Sequence, residues 1–364
     1  MTMLRRTIKT VEEFKHKKRE AGLSGPLNFL SSGVTLLNLA MTDNPDQGFQ
    51  AGKIVNIIGD SSAGKTLLAL TGCAEASNNI DFNDYLIIYD DTEEACEFDI
   101  SALFGQKTAD RIQPPKREEK VPIYSDTVWD FQSNVLRYIK GGKPFIYILD
   151  SFDALTMDEE MERAEKRMKG KEVKSYATEK ARAASEVFRT IVRGLKGTKS
   201  ILIILSQTRE NLDPMSFQKK TRAGGKALEF YSSHIMWLLL MGQQKKAGIS
   251  IGGDVLVKLT KNKITGKKRE IKFSAFPDYG IDDIGAMVDY LLGTADRPGR
   301  WDKAEKSAAI DCHGDLGITE KITRTKLIQQ VEEGGLVKKL RLLVAEYWQH
   351  TEDSVRLNRQ RRYE

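Results

Sequence analysis

Residues Gly59-Asp60-Ser61-Ser62-Ala63-Gly64-Lys65-Thr66 carry two glycines at the spacing of a Walker A motif, followed by Lys-Thr. Phosphate chemistry sets that spacing. The glycines let backbone N–H groups turn inward around a phosphate chain, Lys65 reaches the β- and γ-phosphates, and Thr66 offers a hydroxyl to Mg²⁺. The flanks agree. Residues 53–58 form a short apolar run that reads as a buried strand, and residues 67–76 are good helix formers. The phosphates would therefore lie at a helix N-terminus. An ordinary glycine-rich turn is the competing reading, and the strand–loop–helix context argues against it. ATP and Mg²⁺ are the expected cofactors.

A second motif supports this. Residues 145–149 are apolar and end in Asp150, a Walker B pattern that follows Lys65 by about 85 residues. An aspartate there can hold Mg²⁺ through a water beside Thr66. Hydrolysis also needs a group to orient the attacking water. Glu93 is the best candidate, just past a strand at 85–89 that is expected to adjoin the Walker A strand, with Asp91 and Glu94 as rivals. Gln207 ends another strand, where an amide can contact a γ-phosphate and pass its presence to the next segment. That segment, 208–223, is closed by Gly224-Gly225-Lys226. It holds Arg209, Lys219, Lys220 and Arg222 together with Met215 and Phe217. Cations with such apolar side chains suit a phosphate backbone and stacked bases. A surface loop without a ligand fits the composition equally well.

These groups need a scaffold. Strands at 85–89, 145–149 and 201–205 alternate with helices at 129–139 and 181–195, which predicts an α/β fold with a mostly parallel, doubly wound sheet. Strands at 235–241, 255–259 and 271–276 predict antiparallel hairpins on the sheet edge. Residues 111–120, charged and containing Pro114-Pro115, read as a surface loop. At the N-terminus, Leu4, Ile8, Val11 and Phe14 share one face of an amphipathic helix with a capping box at Thr10–Glu13. It could pack on its own domain or on a neighbouring subunit. The expected organisation is an N-terminal helix and linker (1–27), an ATPase core (28–281), a small α-rich lobe (282–350) and a basic tail (351–364).

The bulk properties fit. The 364 residues are 40% hydrophobic and 30% charged, with a net charge of +6 that is compatible with a polyanionic partner. Cys73, Cys96 and Cys312 are irregularly spaced, which supports neither a disulfide framework nor a zinc site. No apolar signal core stands at the N-terminus, and the apolar run at 235–241 is too short to span a bilayer. The cytoplasm is the expected location, with no membrane partner.

Taken together, these motifs resemble the RecA family of homologous-recombination ATPases, from about Leu30 to about Tyr290. Leu30-Ser31-Ser32-Gly33-Val34-Thr35-Leu36-Leu37-Asn38 resembles the segment before Walker A in that family, and Asp150-Ser151-Phe152-Asp153-Ala154-Leu155 resembles its Walker B continuation. Gln207-Thr208-Arg209, with Gly224-Gly225-Lys226-Ala227-Leu228-Glu229-Phe230-Tyr231, resembles the second DNA-binding loop and its following helix. Lys258-Leu259-Thr260-Lys261-Asn262-Lys263 resembles the strand carrying paired interface lysines. Tyr89-Asp90-Asp91-Thr92-Glu93 looks like the eukaryotic and archaeal form of the base motif, which favours Glu93.

The resemblance implies that Glu93 orients the hydrolytic water, Gln207 senses the γ-phosphate, and Lys261 and Lys263 reach the ATP of an adjacent subunit. It also implies a first DNA-binding loop within 157–181, with Arg163, Lys166, Arg167 and Lys169, and an N-terminal helix that docks on the next protomer. The implied partners are single-stranded DNA, homologous duplex DNA and further copies of the chain in a helical filament. Lys220 replaces an acidic residue usual in the family, Glu229 replaces a lysine usual in bacterial members, and the chain ends basic. These departures point to a divergent member, with a phage genome the expected source. Two other readings share part of the pattern: a ring-forming RecA-like helicase or translocase, and a non-catalytic recombinase-like regulator. The Gly-Gly-Lys-Ala-Leu-Glu-Phe-Tyr run and the Lys261/Lys263 pair disfavour the first. Intact Lys65, Thr66, Glu93 and Asp150 disfavour the second.

Overall fold

The computed structural model describes residues 28–96, 98–156, 177–210, 220–222, 225–293, 309–311, 316–317 and 321–359. The expected N-terminal helix, the cations Arg163, Lys166, Arg167 and Lys169, and the end of the basic tail lie outside the described residues. The chain begins with β1 (Phe29–Leu30), α1 (Thr35–Thr42), β2 (Phe49–Gln50), β3 (Lys53–Gly59), α2 (Lys65–Asn78) and β4 (Leu86–Asp91). Next come α3 (Ile100–Phe104), α4 (Gln106–Arg111), β5 (Ile112–Gln113), β6 (Lys116–Glu118), β7 (Val121–Ile123), α5 (Val128–Gly141) and β8 (Phe145–Asp150). The middle of the chain forms α6 (Ala177–Leu195), β9 (Ile201–Glu210), β10 (Lys220–Arg222), α7 (Gly225–Tyr231), β11 (His234–Lys246) and β12 (Ile249–Asn262). It closes with β13 (Glu270–Phe276), β14 (Gly280–Asp282), α8 (Asp283–Gly293), α9 (Arg324–Glu333) and α10 (Val337–Ser354).

One ten-stranded sheet organises these elements in the order β14-β13-β12-β11-β3-β9-β8-β4-β5, with β10 attached to β9. From β11 to β5 every neighbouring pair is parallel, and β12 to β14 add antiparallel strands at one edge. Parallel strands are buried on both faces and so read as continuous apolar runs. Alternation then divides their side chains between two cores. Ile87, Ile146, Ile148, Ile201 and Ile203 pack with Leu68, Leu70 and Cys73 of α2. Ile88, Tyr147, Leu149, Leu202 and Ile204 pack with Phe131 and Val135 of α5 and with Val187, Phe188 and Ile191 of α6. Helices on both faces make the sheet doubly wound, as the alternation of elements predicted.

Two expectations change. The strand before Glu93 does not adjoin the Walker A strand, because β9 and β8 lie between β3 and β4. The chain crosses over the α2 face to reach β4 and returns over the other face through α5 and α6, which fills the gap. The segment 111–120 is also more ordered than a surface loop. Arg111 donates to the carbonyls of Ala76, Phe82 and Tyr85 at 3.0, 2.6 and 2.9 Å, Ile112–Gln113 extends the sheet, and β6 and β7 form a hairpin. Its turn residues, Glu119 and Lys120, have φ of 48° and 78°, the left-handed geometry of a two-residue hairpin connection.

The C-terminal helices share the α2-side core. Met287 and Val288 of α8 and Leu340, Val344 and Trp348 of α10 belong to the same apolar cluster as Leu36 and Phe273. Polar contacts fix them further. Asp283 accepts from the N–H and the hydroxyl of Thr35, both at 2.7 Å, while burial pushes its carboxyl up to about 6. Glu352 receives both arms of Arg269, at 2.5 and 2.6 Å, and the ammonium of Lys267 at 2.8 Å. Among the described residues, no helix is long and apolar enough to cross a membrane.

His234, the first residue of β11, is fully buried opposite Asn262, and burial pushes its imidazole down to about 4. An unfolded chain takes up that proton near the ordinary value of 6.5, so acid favours unfolding through this residue. The contribution is intact above pH 6.5 and is lost as pH falls toward 4. Replacing His234 with Gln is expected to remove about 2 kcal/mol of the stability difference between pH 7 and pH 5. Urea-unfolding midpoints at the two pH values check this; equal acid sensitivity in both proteins contradicts it.

Candidate active site

The phosphate-loop candidate leaves the carboxyl end of β3. A Cβ on Gly59 would meet the Leu238 carbonyl at 2.9 Å, so only glycine fits against β11 there. Ser61 and Ser62 are exposed, Ala63 is buried, and its N–H reaches the Asp60 carbonyl at 3.2 Å. Ser62 and Gly64 have φ of 60° and 84°, a left-handed path that leads into α2 at Lys65. The Lys65 Nζ donates to the Asp60 carbonyl at 2.9 Å. Burial pulls the Lys65 ammonium below its ordinary range, and the carboxylates of Asp150, Glu93, Asp153 and Asp60 pull it back up.

Beside it, the Thr66 hydroxyl donates to Asp150 Oδ2 at 2.6 Å, and the Tyr89 hydroxyl donates to the same oxygen at 2.8 Å. Burial pushes the Asp150 carboxyl up, and these two hydroxyls oppose the shift. A hydroxyl and a carboxylate converging on one point form a hard-oxygen donor set that fits Mg²⁺, with phosphate and water completing the shell.

The three acids after β4 behave differently. Asp91 accepts from the N–H groups of Ala95 at 3.3 Å and Cys96 at 3.0 Å, so it shapes its own turn. Glu94 is exposed at a φ of 48°. Glu93 reaches across the sheet ends: its Oε1 accepts from Ser151 Oγ at 2.5 Å and from Gln207 Nε2 at 2.8 Å. With Asp153, Ala154, Gln207 and Thr208 it lines a cleft of about 330 Å³.

The second-loop residues are placed by backbone. Lys220, Thr221 and Arg222 of β10 pair with Glu210, Arg209 and Thr208 of β9, and Gly225 and Lys226 open α7. Gln207 is thus one residue from a ribbon that carries Arg209, Lys220 and Arg222. Met215, Phe217, Lys219 and Gly224 lie outside the described residues.

Lys261 and Lys263 stand elsewhere. Lys261 pairs with Ile235, which pairs with Asn56, and the Lys263 N–H reaches the Ser233 carbonyl at the level of Ile54. That level is about 16 Å back along β3 from Gly59. The Lys261 ammonium meets the Glu229 carbonyl and donates to that of Phe230 at 3.1 Å; Lys263 donates to Phe230 at 3.3 Å. Both lysines therefore sit at the carboxyl end of α7, toward the opposite end of the sheet from the phosphate loop.

Four contacts were not anticipated in the sequence: Tyr89 and Ser151 as donors to Asp150 and Glu93, Asp153 as acceptor for the Gln207 N–H, and Asp60 as acceptor for the Thr208 hydroxyl. Strand parity was a usable signal for the first. Ile87 and Tyr89 alternate onto the α2 face, and Asp150 follows Ile146 and Ile148 onto the same face. The other three join loops far apart in sequence and left no periodic trace.

A family model described as the RecA N-terminal domain matches residues 17–282. The protein named RecA in Teredinibacter turnerae is 29% identical over 258 residues, which is 70% of this chain and 69% of that protein. The RecA protein of Zymomonas mobilis is 28% identical over 279 residues, 76% of this chain and 72% of its own length. That of Nocardioides sp. is 27% identical over 280 residues, 76% and 73%. With the family model spanning well over half of its length, this chain belongs to the RecA family.

Proposed function

We propose that the protein is a DNA-dependent ATPase that assembles as a helical filament on single-stranded DNA and promotes pairing and strand exchange with homologous duplex. The observation that carries this reading is the placement of Gln207. Its amide lies 2.8 Å from Glu93, and the next residue opens the backbone pairing with Arg222. A residue so placed can report nucleotide state to a cationic segment. That link suits a protein whose grip on DNA depends on ATP.

Glu93 acts as the base that orients the attacking water. Ser151 and Gln207 both donate to its Oε1, which fixes the carboxylate at the edge of the cleft that it lines. Lys65 would reach the β- and γ-phosphates, and Thr66 and Asp150 would hold Mg²⁺. Bound there, Mg²⁺ would neutralise charge on the phosphates during transfer. When a γ-phosphate is present, the Gln207 amide exchanges Glu93 for a phosphate oxygen, and the change in its side-chain contacts is passed to the residues that lead into the second loop. The position of Lys261 and Lys263 supports a role in trans. They point away from their own phosphate loop, beside Phe230, which is 70% exposed. Such an edge suits a head-to-tail contact between protomers.

Lys65→Ala is expected to abolish ATP hydrolysis stimulated by single-stranded DNA, a loss of at least about 100-fold. A steady-state phosphate-release assay measures it, and unchanged turnover would overturn the site assignment. Electron microscopy with a slowly hydrolysed ATP analogue is expected to show continuous helical filaments; discrete rings would favour a translocase. Lys261→Ala should bind nucleotide normally and hydrolyse it poorly. Mixed one-to-one with Lys65→Ala, it should regain roughly a quarter of wild-type turnover, because Lys65→Ala protomers still donate their lysines head to tail. Co-assembled filaments with no regained activity would contradict action in trans.

A further inference from the structure

We propose that Asp153 is a positioning residue for hydrolysis, holding the backbone of Gln207 so that its side chain alone moves between Glu93 and the γ-phosphate. The inference rests on the reading of Glu93 as base and Gln207 as sensor. Its basis is the geometry beyond the end of β8. The parallel ladder pairs Leu149 with Ile204, so β9 continues past β8 and Gln207 lies beyond the last shared rung. The chain after Asp150 runs on alongside that overhang. The Phe152 N–H meets the Leu205 carbonyl at 3.0 Å, and Asp153 Oδ2 accepts from the Gln207 N–H at 2.7 Å. The buried ring of Phe152 anchors this turn against Phe188 of α6.

Gln207 is therefore gripped from several sides. β3 pairs with it at Gly59, Asp153 takes its N–H, and the next residue, Thr208, donates its hydroxyl to Asp60 of the phosphate loop. A charged acceptor on a backbone N–H is among the stronger neutral-to-ion hydrogen bonds. With the backbone fixed, the amide Nε2 keeps its place within reach of Glu93 and the cleft that both line. Without Asp153, the end of the strand is freer to move, and the amide samples positions away from the reacting atoms. Displacements of this order cost rate more than binding.

The test uses the full-length protein. Turnover on single-stranded DNA and the Kd of a fluorescent ATP analogue are measured for Asp153→Ala, Asp153→Asn, Gln207→Ala and the Asp153→Ala/Gln207→Ala double variant. Asp153→Ala is expected to lower kcat about 10-fold with Kd within about twofold of wild type. Asp153→Asn keeps an acceptor oxygen for the Gln207 N–H and is expected to stay within about threefold of wild type. In the Gln207→Ala background, Asp153→Ala should add less than about twofold, because it acts through the missing amide. A full additional loss in that background, or Asp153→Asn as impaired as Asp153→Ala, overturns the proposal. Glu93→Gln separates it from the reading beneath it. An inactive Glu93→Gln beside a fully active Asp153→Ala refutes the Asp153 role alone, whereas full turnover in Glu93→Gln refutes the base assignment itself.

Discussion

The register of the parallel ladder is the constraint on which the site depends. Gly59 pairs with Gln207, Asp91 with Asp150, and Leu149 with Ile204. Those pairings bring the carboxyl ends of β3, β9, β8 and β4 to one rim, where the loops that follow can touch. Interiors buried on both faces hold this register firmly, since a one-residue slip would exchange the two apolar faces. Ile146 and Ile148 would then face α5 and α6, and Tyr147 would face α2. The distances among Thr66, Asp150, Glu93 and Gln207 are thus consequences of packing many residues away.

Electrostatics adds a second condition. Four carboxylates act on the single ammonium of Lys65. A triphosphate entering such a rim meets more negative charge than one lysine can offset. On the proposed reading, a divalent metal held by Thr66 and Asp150 would relieve part of that excess. On the same reading, cations from a neighbouring copy relieve more, which makes an isolated subunit a poor hydrolase for reasons of charge alone. Lys261, half-buried, and Lys263, exposed, at the far end of the sheet are of the kind required.

Much of this arrangement was legible in the sequence, for identifiable reasons. The Walker A and Walker B segments are short, local and fixed by ligand geometry, and the strand runs at 145–149 and 201–205 are apolar without interruption, so each could be read in isolation. The order of strands could not. β8 and β9 enter between β3 and β4 because of crossovers whose direction leaves no mark on composition, and the expected adjacency of β3 and β4 failed for that reason. The segment 111–120 misled through its charge: its order comes from backbone carbonyls gathered around Arg111, an interaction with atoms that every sequence contains. Asp153 was visible as a letter in the Walker B continuation, but its partner is a backbone N–H more than fifty positions away, beyond the reach of any local pattern.

The carboxyl end of α7 has one more consequence. α7 begins at Gly225, three positions after the last residue of β10, and Lys261 and Lys263 rest on its last carbonyls. The opposite end of the same stretch begins at Gln207. If the lysines leave those carbonyls to serve a neighbouring nucleotide, the helix loses its cationic cap just as Gln207 answers to the nucleotide at home. The stretch between them would then respond to two occupancies at once, its own and the adjacent one. It would work as a coincidence detector, whose output requires agreement between consecutive subunits rather than the state of either alone.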